Sequence, residues 1–226
     1  MKFAIMGTGG VGALFGARLA AAGEDVLFIA RGAHLAAIKK DGLKIVSEAR
    51  GNLTIDPCLA TDDLAELPPH IAPVDYVFIT VKLWDTEAAI EKIRPLVGPD
   101  TTVVSFQNGI SRDDTLKSAL GKEHIIGGIS YVGATIEGPG AIVQKGAVQK
   151  LVFGEYGGLG KTARIEALAQ ACQRADIEVE IPDDIERALW TKFIVLVAMS
   201  SLTASTRQCI GPVRENPKTR ALLVDV

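Results

Sequence analysis

The stretch KFAIMGTGGVGALFGARLAAAG, residues 2–23, determines the fold of this chain. It reads as an apolar strand over Lys2–Met6, a glycine-rich turn and an alanine-rich helix over Val11–Ala22. The turn has the pattern G-x-G-x-x-G, and it stands where that pattern carries meaning, directly after a strand and at the start of a helix. A further apolar strand follows the helix, which completes a strand–helix–strand unit.

Each glycine of the turn has a physical task. The first allows the tight turn, the second lets a pyrophosphate approach the backbone, and the third lets helix and strand pack closely. The N-terminus of the helix adds N–H groups that can bind an anion. The sequence therefore predicts a pyrophosphate-binding turn, and a glycine-rich turn without a ligand is the alternative. The predicted binding residues are Gly7, Thr8, Gly9, Gly10, Val11 and Gly12.

The end of the second strand indicates which dinucleotide binds. An NAD site places Asp or Glu there, ~20 residues beyond the glycines, to accept a hydrogen bond from the ribose 2′-hydroxyl. Here Asp25–Ala30 is followed by Arg31 and Gly32, without a carboxylate at the strand end. A guanidinium can pair with a 2′-phosphate and lie flat on adenine. Arg31 therefore predicts NADP (NADPH) as the cofactor, and a solvated surface arginine is the alternative.

Apolar strands alternate with helix-like segments over most of the chain. Strands that are apolar on both faces and separated by helices are typical of a covered parallel sheet, so we predict the α/β class with a Rossmann-type domain. Glycine turns between later apolar runs predict antiparallel additions at the far edge of the sheet. The predicted strands are 2–6, 25–30, 43–46, 53–55, 76–81, 102–106, 129–136, 141–144, 150–153 and 178–181, with helices at 11–22, 33–40, 85–93 and 164–174.

The composition excludes several classes of function. The 226 residues carry 24 Lys+Arg and 27 Asp+Glu, a net charge of −3, so the chain has no basic footprint for nucleic acid or an anionic membrane. Cys58, Cys172 and Cys209 form no CxxC pair, which argues against a disulfide framework or a thiolate zinc site. The three histidines are equally scattered, and no metal is predicted. We expect a soluble, cytoplasmic protein with a small-molecule partner.

The character of the sequence changes at Pro182. The run that follows contains neither Gly nor Pro as far as Ala204, which predicts a long helix. Its uncharged part, 193–206, is shorter than the ~18 residues that a membrane span needs, so we predict a buried core helix. The predicted domains are an NADP-binding Rossmann-like domain at 1–181 and the start of a helical substrate and dimerisation domain at 182–226. Trp190, expected to be buried, and the apolar helix face permit a homodimer without requiring one.

Three polar residues are candidates for reductase chemistry. Lys82 and Asn108 follow two successive predicted strands, at the carboxyl ends where open α/β sheets bind ligands. For these two, a surface role is as consistent with the sequence as a functional one. Lys192 interrupts an apolar stretch of helix, where a lysine is costly unless it is paired or its stem snorkels. A desolvated lysine is suited to donate a proton to a developing alkoxide.

Taken together, these segments resemble the ketopantoate reductase (2-dehydropantoate 2-reductase) family, and they follow the family's order along nearly the whole chain. The resemblance implies an NADPH-dependent oxidoreductase of pantothenate biosynthesis in the cytoplasm, with a Rossmann fold and an all-helical C-terminal domain. The segments that carry it are residues 7–23, Arg31, Val81-Lys82, Gln107-Asn108-Gly109, 133–140, and Trp190-Thr191-Lys192-Phe193 leading to Leu202-Thr203-Ala204.

The resemblance also implies a role for each cofactor residue. Gly7–Gly12 would hold the pyrophosphate and Arg31 the 2′-phosphate. Lys82 would lie along the cofactor. Asn108 would contact both the nicotinamide end and the substrate, and the backbone near Ala134 would contact the carboxamide.

On the substrate side, the resemblance implies that Lys192 donates the proton as hydride passes to the C2 carbonyl of a 2-oxo acid. The family has asparagines downstream of this lysine, and Leu196 and Ser200 stand in their places here. Leucine cannot hydrogen-bond, so either another group serves or the substrate is not ketopantoate; we keep Ser200 as a substrate-binding candidate. Family members continue beyond residue 226, which implies that the helical domain and the substrate pocket are incomplete in the sequence given.

The main hypothesis is therefore an NADPH-dependent reduction of ketopantoate to pantoate. A paralogous NADP-dependent reductase of a different 2-oxo acid is the second hypothesis, and the apolar Leu196 favours it. From another functional class, the chain could be an NADP-binding module without catalysis.

Overall fold

A computed structural model of the chain describes residues 1–68 and 70–225. The chain divides into two compact units, Met1–Ile185 and Glu186–Val226, whereas the sequence predicts a boundary after residue 181. The strands are β1 (Lys2–Met6), β2 (Asp25–Ile29), β3 (Leu43–Ser47), β4 (Leu53–Ile55), β5 (Ala60–Thr61), β6 (Tyr76–Ile79), β7 (Thr102–Ser105), β8 (Ile125–Gly138), β9 (Ala141–Gly154) and β10 (Glu178–Glu180). The helices are α1 (Gly10–Ala21), α2 (Gly32–Asp41), α3 (Thr86–Ile93), α4 (Arg112–Leu120), α5 (Ala163–Arg174), α6 (Ile185–Thr206), α7 (Ile210–Glu215) and α8 (Pro217–Asp225).

The first unit is built on one sheet with the order β4-β3-β9-β8-β7-β6-β1-β2-β5, and β10 pairs with β9. The strands from β8 to β5 pair in parallel, which confirms the predicted α/β class with a Rossmann-type sheet. From β1 the chain passes to β2 on one side and later returns to β6 on the other. The carboxyl end of β1 is therefore the topological switch point, where open α/β sheets bind ligands.

The predicted antiparallel segment is more extensive than the sequence indicated. Instead of three short strands, β8 and β9 form one antiparallel hairpin of two 14-residue strands, with a register shift between Val132 and Gly133. The hairpin also lies inside the sheet and not at its edge, because β3 pairs in parallel with β9 and carries β4 beyond it. A local apolar pattern cannot show this crossover, since β3 lies about a hundred residues before its partner.

Apolar side chains cover both faces of the sheet. Phe3 and Ile5 of β1 belong to one buried cluster, which also contains side chains of α1 and α5. Ala4 between them belongs to the other cluster, with side chains of α3 and α4. Such alternation is what a parallel strand requires when helices cover both of its sides. The sheet is therefore held rigidly, and its carboxyl-end loops project from a fixed frame.

The second unit is all-helical, and its long helix differs from the sequence prediction. We expected α6 to be a buried core helix, yet only 17% of its most apolar window is buried, and Trp190 is 54% exposed. By length and composition it is the one helix within residues 1–68 and 70–225 that could cross a membrane, a property that core helices of soluble proteins share. Ile194 and Val195 of the same helix are likewise more than half exposed, so α6 presents an apolar face to its surroundings.

Candidate functional site

The glycine turn of the first unit has the geometry of an anion site. Helix α1 begins at Gly10, and the amide of Ala13 donates to the carbonyl of Gly9 at 2.8 Å. In a helix that starts there, the amides of the first turn have no carbonyl one turn earlier and remain available to a ligand. Gly7 has a φ of +102°, and a Cβ at this position would lie 2.7 Å from the amide nitrogen of Val81. Only glycine suits this place in the turn.

The other glycines of the turn divide into two kinds. A Cβ on Gly12 would lie 2.3 Å from both the carbonyl oxygen of Gly7 and Oγ1 of Thr80, and one on Gly10 would lie 2.3 Å from the carbonyl oxygen of Ala134. These two glycines permit close contacts within the protein. A Cβ on Gly9, in contrast, would meet no atom of the described residues within 4 Å. Gly9 therefore faces space that a ligand can fill.

A cavity of about 500 Å³ opens beside this turn, at the carboxyl ends of β1, β2 and β6. Five predicted site residues contribute to its wall, namely Gly7, Thr8, Gly9, Arg31 and Lys82. Its size suits part of a dinucleotide, and its position is the switch point of the sheet. The sequence thus identified the part of the site that the glycine turn organises.

Three charged or titratable residues of the wall are not among the predicted site residues: His34 on α2, Asp85 in the turn before α3, and Lys92 on α3. They come from two separate helical segments, and no spacing rule connects them with the glycine motif. Asp85 was recognised only as a helix start, although it stands three residues after Lys82, which is a signal that the strand end carries more than one polar side chain.

The predicted Arg31 lies at the open side of the cavity. Its side chain is 88% exposed, and Nη2 lies 3.9 Å from Oδ2 of Asp85. An exposed pair at that distance contributes little to stability, so both charges remain free to act on a ligand. Arg31, Lys82 and Lys92 together outnumber the single carboxylate of Asp85, and the wall is electropositive.

His34 provides a further polar atom beside the cavity. Its Nδ1 accepts a hydrogen bond from the amide of Gly140 at 3.0 Å, which leaves Nε2 as the protonated nitrogen of the neutral ring. Nε2 is buried and finds no partner within residues 1–68 and 70–225. The hydrogen bond from Gly140 thus holds the imidazole of His34 in place in the cavity wall.

The remaining predicted residues lie outside the wall of this cavity. Gly10 and Ala134 contact each other closely where α1 meets β8, and Asn108 is exposed on the loop after β7. In the second unit, Lys192 is half-buried on α6 and Ser200 is exposed on the same helix. The two lie on one long helix, as the sequence predicted. Leu196, half-buried, stands between them.

Residues 3–158 match the family model described as ketopantoate reductase PanE/ApbA, which covers the glycine turn, Arg31, Lys82 and Asn108.

Relatives and solved structures agree with this match. The chain is 35% identical over 226 residues to a 2-dehydropantoate 2-reductase of Pyrococcus abyssi, covering 100% of this chain and 71% of that one. It is 32% identical over 213 residues to an uncharacterised oxidoreductase, YkpB, of Bacillus subtilis, covering 94% and 68% of the two chains. The crystal structure of 2-dehydropantoate 2-reductase from Geobacter metallireducens superposes with a TM-score of 0.89 at 30% identity, covering 99% of this chain and 71% of that one.

Proposed function

Because the chain belongs to the ketopantoate reductase PanE/ApbA family and is therefore of an oxidoreductase lineage, we propose that it catalyses the NADPH-dependent reduction of 2-dehydropantoate to pantoate. The observation that carries this proposal is the cavity in which the glycine turn, Arg31 and Lys82 meet. It combines a helix N-terminus for a pyrophosphate with an electropositive wall at the end of β2.

The residues of the cavity fit NADPH. The open face of Gly9 leaves space for a pyrophosphate against the backbone. Arg31 provides the guanidinium for a 2′-phosphate, and Lys92 adds a second cation to the same wall. Asp85 is the residue that runs against the assignment, because a carboxylate could accept a hydrogen bond from the 2′-hydroxyl of NADH. The excess of cations supports NADPH.

Bound NADPH would supply the hydride that reaches the C2 carbonyl of the 2-oxo acid. Lys192 would donate the proton to the carbonyl oxygen, and an ammonium group can both hold that oxygen and release the proton to it. Asn108 would orient the carbonyl and the nicotinamide end with its amide, and Ser200 would donate to the substrate from the same helix as Lys192. Lys82 and the backbone of Ala134 would complete the cofactor contacts.

A paralogous activity on a different 2-oxo acid is the second candidate. Leu196 favours it, since a leucine on the helix that carries Lys192 and Ser200 offers apolar contact in place of an amide. A branched or aromatic 2-oxo acid would gain from that contact, at ~0.8 kcal/mol per buried methylene.

A direct assay tests the proposal. The protein is mixed with NADPH and ketopantoate, and loss of the nicotinamide absorbance is followed, with NADH and a branched and an aromatic 2-oxo acid in parallel. Turnover of ketopantoate with NADPH is the expected result. Turnover of another 2-oxo acid alone would replace the substrate and leave the reductase class intact, whereas tight NADPH binding without turnover of any of them would indicate a non-catalytic NADP-binding module.

The proposed setting follows from the same features. A small-molecule 2-oxo acid would be the partner, with neither nucleic acid nor membrane, in the cytoplasm. The exposed apolar face of α6 is consistent with a homodimer, which sedimentation of the purified protein would detect.

A further inference from the structure

A buried chain of hydrogen bonds joins the two loops that follow β6 and β7. Nε2 of Gln107 donates to Oγ1 of Thr86 at 2.9 Å, and the Thr86 hydroxyl donates to the carbonyl of Leu83 at 2.6 Å. At the other end, the Ser105 hydroxyl donates to Oε1 of Gln107 at 2.9 Å and accepts from the Gln107 amide at 3.3 Å. The three polar side chains are at most 6% exposed.

The hydrogen bonds of this series all run in one direction. The single proton of the Thr86 hydroxyl is given to Leu83, so the partner on its other side must be a donor, which is the amide nitrogen of Gln107. The Gln107 oxygen is then left to accept from Ser105. Each of the three side chains makes at least one hydrogen bond within this chain, and in a buried setting each lost bond would leave a polar group without a partner. The loops are therefore held at one spacing and not merely packed together.

The base of the second loop is fixed independently. The guanidinium of Arg112, 2% exposed, donates to the carbonyls of Ser105 at 3.3 Å and Gly128 at 2.6 Å, and also to that of Gly109. The segment that contains Asn108 is thus tied to β7 and β8. The link through Gln107 then joins the first loop to this fixed second loop.

We propose that Gln107 and Thr86 are positioning residues for the cofactor site. Asn108 directly follows Gln107, and Leu83 directly follows Lys82, so the buried chain sets the distance between the two predicted cofactor contacts. This inference rests on the proposed function, because Lys82 and Asn108 take their roles from it. Packing alone would not call for such a chain, since apolar residues of the same shape fill a buried space about as well.

The test uses two pairs of variants and three measurements. Thr86→Val keeps the shape but removes the hydroxyl, while Thr86→Ser keeps the hydroxyl. Gln107→Glu keeps the shape but removes the donor, and Gln149→Glu is its matched control, because Gln149 is also buried and donates to a carbonyl, that of Asp176, at 2.9 Å. The measurements are the NADPH Kd from nicotinamide fluorescence, kcat and KM with ketopantoate, and the urea midpoint.

We expect Thr86→Val and Gln107→Glu to lower kcat by ~10-fold or more and to raise the NADPH Kd several-fold, because small misplacements of reacting groups are costly. Thr86→Ser should stay within ~2-fold of the wild type in both, and Gln149→Glu should lower the urea midpoint while its Kd and kcat stay within the same ~2-fold range. If Gln107→Glu does not fold, Gln107→Met, which buries no charge, takes its place.

The outcomes separate the inference from the proposed function. Thr86→Val with the Kd and kcat of the wild type would overturn the inference while the reductase assignment stands. A wild type that binds NADPH but does not reduce ketopantoate would overturn the substrate, and the Kd of Thr86→Val against that of Thr86→Ser would still decide the inference. A wild type that does not bind NADPH would overturn both.

Discussion

At the scale of single residues, Arg31 carries the choice of cofactor. A guanidinium–phosphate pair contributes more than a neutral hydrogen bond, so we expect Arg31→Ala to weaken NADPH binding by ~10-fold or more and NADH binding by less than ~2-fold. Fluorescence titration of both cofactors measures this. Arg31→Lys should retain part of the NADPH affinity, because lysine keeps the positive charge but lacks the planar guanidinium that donates two parallel hydrogen bonds to a phosphate. Equal losses for the two cofactors would contradict the 2′-phosphate assignment.

Asp85 tests the same assignment in the opposite direction, because removal of its charge should strengthen NADPH binding. Its carboxylate shares the cavity wall with Arg31, and Asp85→Asn removes the repulsion that a 2′-phosphate would meet there. We expect NADPH to bind a few-fold tighter at low salt, with the gain shrinking as ionic strength rises, since a partly exposed charge is screened. Glu87→Gln is the control, because Glu87 is an exposed acid on the first turn of α3 outside the wall. Weaker NADPH binding by Asp85→Asn would speak against this arrangement.

Lys192 separates a reductase from a binding module. General acid catalysis contributes ~10²–10⁴-fold, so Lys192→Ala should lower kcat/KM with ketopantoate by that order while the NADPH Kd changes by less than ~2-fold. Stopped-flow or steady-state absorbance together with a binding titration measures both quantities. Lys218→Ala, at an exposed lysine of α8, should leave both unchanged. A rate that is indifferent to Lys192→Ala would remove this residue from the chemistry.

At the scale of elements, two neighbouring glycines at the start of α1 make opposite predictions. A Cβ on Gly10 would press on the carbonyl of Ala134 in β8, so Gly10→Ala should destabilise the fold by ~1–3 kcal/mol. Gly9 has extended backbone, and its Cβ would meet none of the described atoms within 4 Å. Gly9→Ala should therefore keep the urea midpoint of the wild type and weaken NADPH binding. If Gly9→Ala binds NADPH normally, the pyrophosphate does not lie against Gly9.

The same elements show how much of the structure can be predicted from the sequence. The glycine turn, β1 and β2 were predictable because strand, turn and helix are contiguous and each has its own pattern. Helix α4 was missed because Arg112–Leu120 is mostly polar and buries only Leu116 among its apolar residues, so it lacks an apolar period. In the site, Arg31 and Lys82 follow the carboxyl ends of strands, and open α/β sheets bind their ligands at those ends. His34 and Lys92 reach the cavity from helices, and only the packed structure brings them there.

At the scale of the first unit, two buried carboxylates anchor the ends of α5. Near the start of the helix, the carboxylate of Glu155 accepts hydrogen bonds from Nε and Nη2 of Arg164, at 2.7 and 2.6 Å. At its other end, Arg174 donates to Glu24 at 2.5 Å, and the N-terminal ammonium donates to the same carboxylate at 2.6 Å. Both carboxylates are about 5% exposed or less. The stability of the unit should therefore depend on their charge.

The direction of the pH dependence follows from the pKa of Glu155. Burial raises this pKa, but the hydrogen bonds from Arg164 and Thr162 outweigh burial, and the pKa lies below its ordinary value of 4.5. A carboxyl whose pKa is lower in the folded than in the unfolded state stabilises the fold above the unfolded pKa and loses that contribution as the pH falls through the folded one. Glu24 behaves in the same direction, because the ammonium and Arg174 outweigh its burial.

The variant Glu155→Gln tests this pH dependence of the stability. The variant cannot carry the charge, so at pH 7 we expect its free energy of unfolding in urea to be ~1–3 kcal/mol below that of the wild type. As the pH falls below 4.5 and through the lower pKa of the folded state, the two should converge, because the wild type loses its charged bonds as Glu155 becomes protonated while the variant has none to lose. Glu91→Gln is the control, since Glu91 also pairs with an arginine, Arg94, but is 70% exposed, and water screens the pair. It should show no difference at either pH, and a pH-independent deficit in Glu155→Gln would mean that packing, not charge, holds α5 in place.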